Sequence, residues 1–216
     1  MTAVSTPKIS PFKSNTKDYE DWFLKYPWAY AAELRALSLL MPARGGNFLE
    51  VGVGSGRFAK DLVINTGVDP CPEMLHIARS RGVRGVLGIA ESLPFADDKF
   101  DLAAMITVLC FLNDPAAALV ETRRVLKEGG ILLLAFIDRH TSLGKLYCQH
   151  QASSVFYREA RFYGADEVAE LMVNAGFIDL RFFRTIARPP AEVDQDEAVL
   201  PGSGEGAFVV AGGIKK

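Results

Sequence analysis

The chain has 216 residues, 49% of them apolar and 23% charged, with a formal net charge of −2. That length suits one domain able to bury a core without staples, and the composition excludes a disordered chain. The near-neutral balance gives no global attraction to nucleic acid or anionic lipid.

Residues 1–16, rich in Ser, Thr, Pro and Lys, read as a mobile arm. Nothing in MTAVSTPKISPFKSN has the apolar core of a signal peptide. From Asp18 to Met41 apolar and aromatic residues recur at helical intervals, among them Trp22, Phe23, Tyr26, Tyr30, Leu34, Leu37 and Leu40. Pro27 breaks that stretch into two helices or one kinked one, forming a helical cap over residues 17–44.

Strands and helices then alternate. NFLEVGV predicts a strand, SGRFAKDLVI a helix, TGVDP a short strand, CPEMLHIARSRG a helix stopped at Gly82, and RGVLG a third strand. KFDLAAMITV is a fourth strand; the apolar run LAAMITVLCFL is too short to span a bilayer and reads as a buried strand with its exit. DPAAALVETRRVLKEGG is a helix opened by Pro115 and closed by glycines, and ILLLAFID is a fifth strand, apolar on both faces. GADEVAELMVNAGF predicts a helix. IDLRFFRTIA and GAFVVAGGIKK are two strands joined by the acidic connection RPPAEVDQDEAVLPGSGE, hence an antiparallel hairpin at the edge of the sheet or inside it. The sum is a doubly wound α/β domain over residues 17–216, with a parallel sheet covered on both faces and an N-terminal helical addition. Cys71, Cys110 and Cys148 are odd in number and far apart, unlike a zinc or redox motif, so reduced thiols in a soluble cytoplasmic protein without metal are expected.

EVGVGSG places glycines at every second position directly after the first strand. A P-loop would end in Gly-Lys-Ser/Thr, whereas Arg57 and Phe58 follow Gly56. A dinucleotide fingerprint would need a third glycine where Arg57 stands, which disfavours an NAD-dependent oxidoreductase. Asp69 closes the second strand, where a carboxylate can accept hydrogen bonds from both hydroxyls of a ribose.

EVGVGSG, GVDPCPEML, AESLPFADDKFD and VLKEGG, in this order, resemble the class I S-adenosylmethionine-dependent methyltransferases, the branch that includes the ubiquinone and menaquinone enzymes. The resemblance runs from about Gly46 to Phe136 and more loosely to the C-terminus. It implies a Rossmann-like, mostly parallel seven-stranded sheet with an antiparallel C-terminal strand, and S-adenosylmethionine as cofactor. It also implies that Gly52, Gly54 and Gly56 form the turn under the methionine and ribose portions. A helix starting near Ser55 would then offer N–H groups to the cofactor carboxylate. Glu50 would contact the cofactor, often through water, Asp69 and its neighbour Pro70 would hold the ribose, and Met74 would pack on the adenine. The family usually has an aspartate where Ile89 stands; the backbone of Ile89 and Ala90 would read the adenine edge instead, and Glu91 would supply the acceptor.

Methyl transfer from a sulfonium is an in-line displacement that chiefly requires positioning, and a base is optional. Thr107 and Phe111 are expected near the sulfonium, and Cys110 as a small buried filler. Candidates for a base are Asp138 and His140 after the fifth strand, and Tyr157. His76 is expected at the surface, and His150 has no assigned place. Residues 141–164 carry Tyr147, Phe156, Tyr157, Arg158, Arg161, Phe162 and Tyr163, and read either as a substrate lid with an aromatic wall and an anion-binding arginine or as an amphipathic helix packed on the sheet. Trp22 or Tyr19 is expected to close over the cofactor. The reading is a methyltransferase for a small-molecule acceptor, without nucleic-acid or membrane partner; the competing one is a catalytically silent S-adenosylmethionine-binding sensor or partner protein.

Overall fold

The computed structural model describes residues 6–216. The predicted alternation builds β1 (Phe48–Val51), β2 (Thr66–Asp69), β3 (Arg84–Leu87), β4 (Phe100–Ile106) and β5 (Leu126–Ile137), all paired in parallel. β6 (Phe177–Thr185), β7 (Leu200–Pro201) and β8 (Phe208–Lys215) complete one sheet in the order β3-β2-β1-β4-β5-β8-β6-β7. β8 runs antiparallel to both its neighbours, so the C-terminal hairpin lies inside the sheet and not at its edge. An eighth strand, β7, is a two-residue edge beyond the seven expected.

Alternation along each strand sorts its side chains to opposite faces. Leu133, Ala135, Phe208 and Val210 join one core with Ala29, Ala32, Ala36 and Leu37 of α3 (Pro27–Ser38), Phe58 of α4 (Arg57–Asp61) and Leu75 of α5 (Pro72–Ser80). Leu132, Leu134, Val209 and Ala211 join the other core with Leu119 of α6 (Pro115–Val125) and Val168 of α8 (Ala165–Asn174). Asp114 caps α6 by accepting from Ala117 N at 3.0 Å, with Pro115 at the first turn.

Three expectations need correction. Of the arm predicted over residues 1–16, residues 1–5 lie outside the described residues, but Ser10–Ser14 form α1, held by Phe12 packing edge-on against Phe111 at 5.0 Å. The helix predicted from SGRFAKDLVI is only α4, because Val63 adopts a left-handed φ of 57° and turns the chain into β2. The glycines of VLKEGG do not close α6. The helix stops at Val125, Leu126 already pairs with Phe100, and Lys215 Nζ donates to the Leu126 carbonyl at 2.7 Å.

Pro27 does separate two helices, α2 (Thr16–Lys25) and α3. α2 is fastened over the glycine turn by one carboxylate. Glu20 accepts from Arg57 Nε at 3.0 Å and pairs with both Arg57 and Arg81, while Arg81 also donates to the Ser55 carbonyl at 2.7 Å. Burial pushes the Glu20 carboxyl up, but the hydrogen bonds from Arg81 and Arg57 outweigh it and hold it below the usual range. Glu20→Ala leaves two partly buried guanidiniums without their carboxylate and is expected to cost about 2 kcal/mol, or roughly 4–8 °C in thermal unfolding. Lys17→Ala removes the exposed Lys17–Asp21 pair on the same helix and should leave the melting temperature unchanged.

Candidate active site

The carboxyl ends of the parallel strands open into a cavity of about 670 Å³, roofed by α1, α2 and α7 (Ser142–His150). In a doubly wound sheet this is where ligands sit. At its floor the chain leaves β1 through Gly52, whose N–H donates to the Val68 carbonyl at 2.8 Å, and turns at Gly54. Gly54 has a φ of +51°, and a Cβ there would meet only the Tyr19 hydroxyl at 3.7 Å, so its backbone faces open cavity. Its N–H donates to Asp69 Oδ2 at 2.8 Å, and Cys71 N–H donates to Asp69 Oδ1 at 2.8 Å. Asp69 therefore stands at the glycine turn with its carboxylate on the cavity wall. Burial raises its carboxyl against the opposing pull of those two N–H groups.

Gly52, Gly54, Asp69, Pro70 and Met74 all line this cavity, as do Ile89, Ala90, Glu91, Thr107 and Trp22. Ile89 pairs with Ser92 in an isolated bridge, which shapes the rim, and Glu91 Oε1 accepts from Asn113 N at 3.0 Å. Two of the expected residues do not reach the cavity. Gly56 faces Ala78 of α5 at 3.0 Å, so its missing side chain serves helix packing. Glu50 lies behind the turn, only 2% exposed, with Oε2 lacking a hydrogen-bond partner among the described residues. Burial, with the neighbouring Asp69 charge adding to it, holds the Glu50 carboxyl well above its usual range.

The candidate bases fare differently. Asp138 is buried but off the cavity, because its Oδ1 is turned back onto the N–H of His140 at 2.8 Å. His140 is exposed beside Gly164 and Arg139, which donates from Nε to its Nε2 at 3.2 Å, so neither residue faces the space where a methyl group would be transferred. Tyr157 lines the cavity, but burial and the neighbouring Tyr147 hold its phenol protonated well above its ordinary value, which suits a wall or a donor rather than a base. Burial likewise pushes the Cys110 thiol up to about 12, consistent with a filler, and His76 is exposed as expected. His150 comes to the cavity wall, its Nδ1 against the Leu146 carbonyl at 2.9 Å.

Residues 141–164 supply the aromatic wall but not the arginine. Phe111 stacks on Tyr157 at 6.0 Å, and Tyr147 meets Tyr157 edge-on at 5.7 Å. Phe156 and Tyr19 close the roof around Phe12, at 5.5 and 5.9 Å. Arg158 and Arg161 are exposed, the latter lying over the Tyr163 ring at 5.0 Å. Thr107 adopts a φ of +52°, a backbone outlier for a β-branched residue, held by its N–H donating to the Ala135 carbonyl at 2.8 Å.

Among the cavity residues that escaped the sequence reading, one is a buried acid. Glu33 projects from α3 into the cavity, is 8% exposed, and has no hydrogen bond or ion pair among the described residues. Burial alone pushes its carboxyl up to about 8, and the groups in electrostatic reach are the phenols of Tyr19, Tyr147 and Tyr157 from α2, α7 and the segment beyond it. The signal was its register. Glu33 lies four residues after Ala29 and three before Ala36, on the buried stripe of the helix. Because its folded value is raised above 4.5, the protein binds this proton more tightly when folded, so stability is full below pH 4.5 and falls as pH rises toward about 8. Glu33→Gln should therefore melt higher than wild type by at least about 3 °C at pH 8, with the gap closing at pH 4.5, in thermal scans across that range.

Among the described residues no cluster of His, Cys, Asp or Glu is arranged to hold a metal ion, and no helix is long and apolar enough to cross a membrane. The donors present fit a nucleoside with a cationic tail: a cavity-facing carboxylate at the turn, a glycine backbone open to close approach, an apolar slot beside Met74 and Ile89, and an orphaned acid behind.

The family model described as a methyltransferase domain matches residues 49–134. A crystal structure from Thermotoga maritima, of an S-adenosylmethionine-dependent methyltransferase described as a possible histamine N-methyltransferase, is 44% identical. It superposes with a TM-score of 0.92, covering 95% of this chain and 98% of that one. An uncharacterized protein of Methanocaldococcus jannaschii is 39% identical over 93% of this chain and 97% of its own length. The ubiquinone biosynthesis O-methyltransferase of Cereibacter sphaeroides is a more distant relative, 28% identical over 68% of this chain and 66% of its own. With the sheet order and the braced glycine turn, these similarities establish that the chain belongs to the class I S-adenosylmethionine-dependent methyltransferases.

Proposed function

We propose that the protein transfers a methyl group to a small-molecule acceptor held in the aromatic half of the cavity, with the cofactor along the floor. The observation that carries this reading is the Asp69 carboxylate, 2.8 Å from the Gly54 N–H and on the cavity wall, where it both braces the turn and faces the ribose position. Pro70 and Met74 border the nucleoside, Ile89 and Ala90 present backbone to the adenine edge, and Glu91 adds a carboxylate at the rim. Gly52 and Gly54 allow close approach, Glu50 supplies negative charge behind them, and Trp22 and Thr107 border the sulfonium end. Gly56 acts through the packing of α5.

When bound, S-adenosylmethionine supplies an electrophilic methyl carbon on a positively charged sulfur. The chain's own task is then positioning. The roof of Phe12, Tyr19, Phe156 and Tyr157 shuts out water, and the floor fixes the direction from which the acceptor approaches. Residues 141–164 and α1–α2 form the lid in this reading, with α1 standing just ahead of the single domain over residues 17–216. The cavity volume, about 670 Å³, suits a cofactor together with a compact acceptor. A quinol acceptor, the finer form of the family resemblance, has only the 28% relative behind it.

Two measurements test the cofactor half. Asp69→Ala should weaken S-adenosylhomocysteine binding about 10- to 100-fold by calorimetry, as expected for a charged acceptor of two hydroxyls. Unchanged affinity would remove the ribose role. In a Trp28→Phe background, which silences the exposed second tryptophan, Trp22 emission should shift when S-adenosylhomocysteine saturates the site; a spectrum that does not move counts against the lid.

A further inference from the structure

Glu33 is left over once the cofactor half of the cavity is accounted for. Its helical neighbours on the buried stripe are Ala29, Ala32, Ala36 and Leu37, so an apolar residue would serve packing better. A carboxyl so buried, without hydrogen bond or ion pair among the described residues, is costly to ionise, and a ligand that brings a cation to it offsets that cost. Glu33 lines the same cavity as Tyr19, Tyr147 and Tyr157, and its charge acts on all three phenols, so it faces the aromatic part of that cavity. There the walls are the rings of Tyr147, Tyr157 and Phe208, whose faces attract a cation and whose area suits an apolar body.

We propose that Glu33 binds the cationic nitrogen of a small aromatic amine and that this nitrogen is the methyl acceptor. The assignment rests on the methyltransferase reading above and adds the class of its acceptor. An anionic acceptor would be repelled by Glu33. A phenol would meet a carboxyl that burial keeps largely neutral at pH 7, and so would gain one neutral hydrogen bond. An ammonium draws Glu33 into its charged form and gains a charge-assisted bond. The same carboxylate then accepts one N–H proton, leaving a neutral amine with its lone pair free. That nitrogen forms the new bond to the methyl carbon as the carbon–sulfur bond breaks with its electron pair on sulfur, so the positive charge passes from sulfur to nitrogen. Glu33 returns its proton to water as the N-methylated ammonium leaves. Glu33 is thereby both the acceptor-binding group and the base.

The test is calorimetry on protein saturated with S-adenosylhomocysteine, using phenethylamine and tryptamine against the neutral 4-ethylphenol and the anionic 3-phenylpropionate. The amines should bind at least tenfold more tightly than the other two. In Glu33→Gln that preference should vanish while S-adenosylhomocysteine affinity stays within twofold of wild type, which also reports correct folding. Wild-type protein that shows no preference for the amines, or a preference that survives Glu33→Gln, overturns the role of Glu33 and leaves the methyltransferase reading standing. Failure of S-adenosylhomocysteine itself to bind wild type overturns both.

Discussion

The grip of Asp69 on the glycine turn is the constraint on which the rest of the site depends. One carboxylate takes the Gly54 N–H and the Cys71 N–H at 2.8 Å each, tying the exit of β1 to the exit of β2. These are short, charge-assisted bonds to a group more than nine-tenths buried, where such bonds are strongest. They hold the Gly54 backbone at a positive φ with nothing but a tyrosine hydroxyl before it, and so keep a ledge of bare main chain at the edge of the cavity. The sheet supplies the other half of that constraint. β1 is flanked in parallel by β2 and β4, so Asp69 and the turn after Ile106 rise on either side of the same ledge.

The cap is bound to this ledge by charge rather than by apolar contact alone. Glu20 from α2 joins Arg57, immediately after the glycine turn, and Arg81, at the end of α5. Arg57 also lies over the Phe23 ring at 5.1 Å, so the residue that rules out a dinucleotide fingerprint is used instead to anchor the roof. One large side chain at that position thus changes which ligands the turn admits and fixes the helix that covers it.

Much of this was legible in the sequence, for identifiable reasons. The succession of parallel strands along the chain followed from continuous apolar runs alternating with helical ones, and the placing of Asp69 followed from its position at the end of the second run. What escaped was whatever depends on contacts between distant segments. Residues 10–14 have an arm-like composition, yet fold because Phe12 finds Tyr19, Phe111 and Phe156, none of them adjacent in sequence. Asp138 and His140 sit at a strand end in the chain, but a local hydrogen bond turns the carboxylate away from the cavity. Gly56 belongs to the same string as Gly54 and yet faces a helix, because the chain enters α4 there and a Cβ would meet Ala78 of α5, a contact between segments that the string alone does not reveal. Glu33 was hidden by the familiar look of an acid in a helix; only its register against Ala29 and Ala36 set it on the inner side.

Such exceptions fall where local rules are broken at a cost. Thr107 sits in the left-handed region, Glu50 Oε2 is buried without a hydrogen bond among the described residues, and Glu33 is buried on the wall of a cavity that Tyr147 and Tyr157 also line. Each feature is unfavourable in the empty protein, and all lie in or beside one cavity at the carboxyl ends of the strands. Glu50 stands behind the glycine turn and Glu33 on the wall of the same cavity. Burial holds both carboxyls above their usual range, and a cation close to either one would favour its charged form. In the proposed transfer the sulfonium would serve the acid behind the turn and the amine the acid on the wall, so that each substrate answers a different carboxyl.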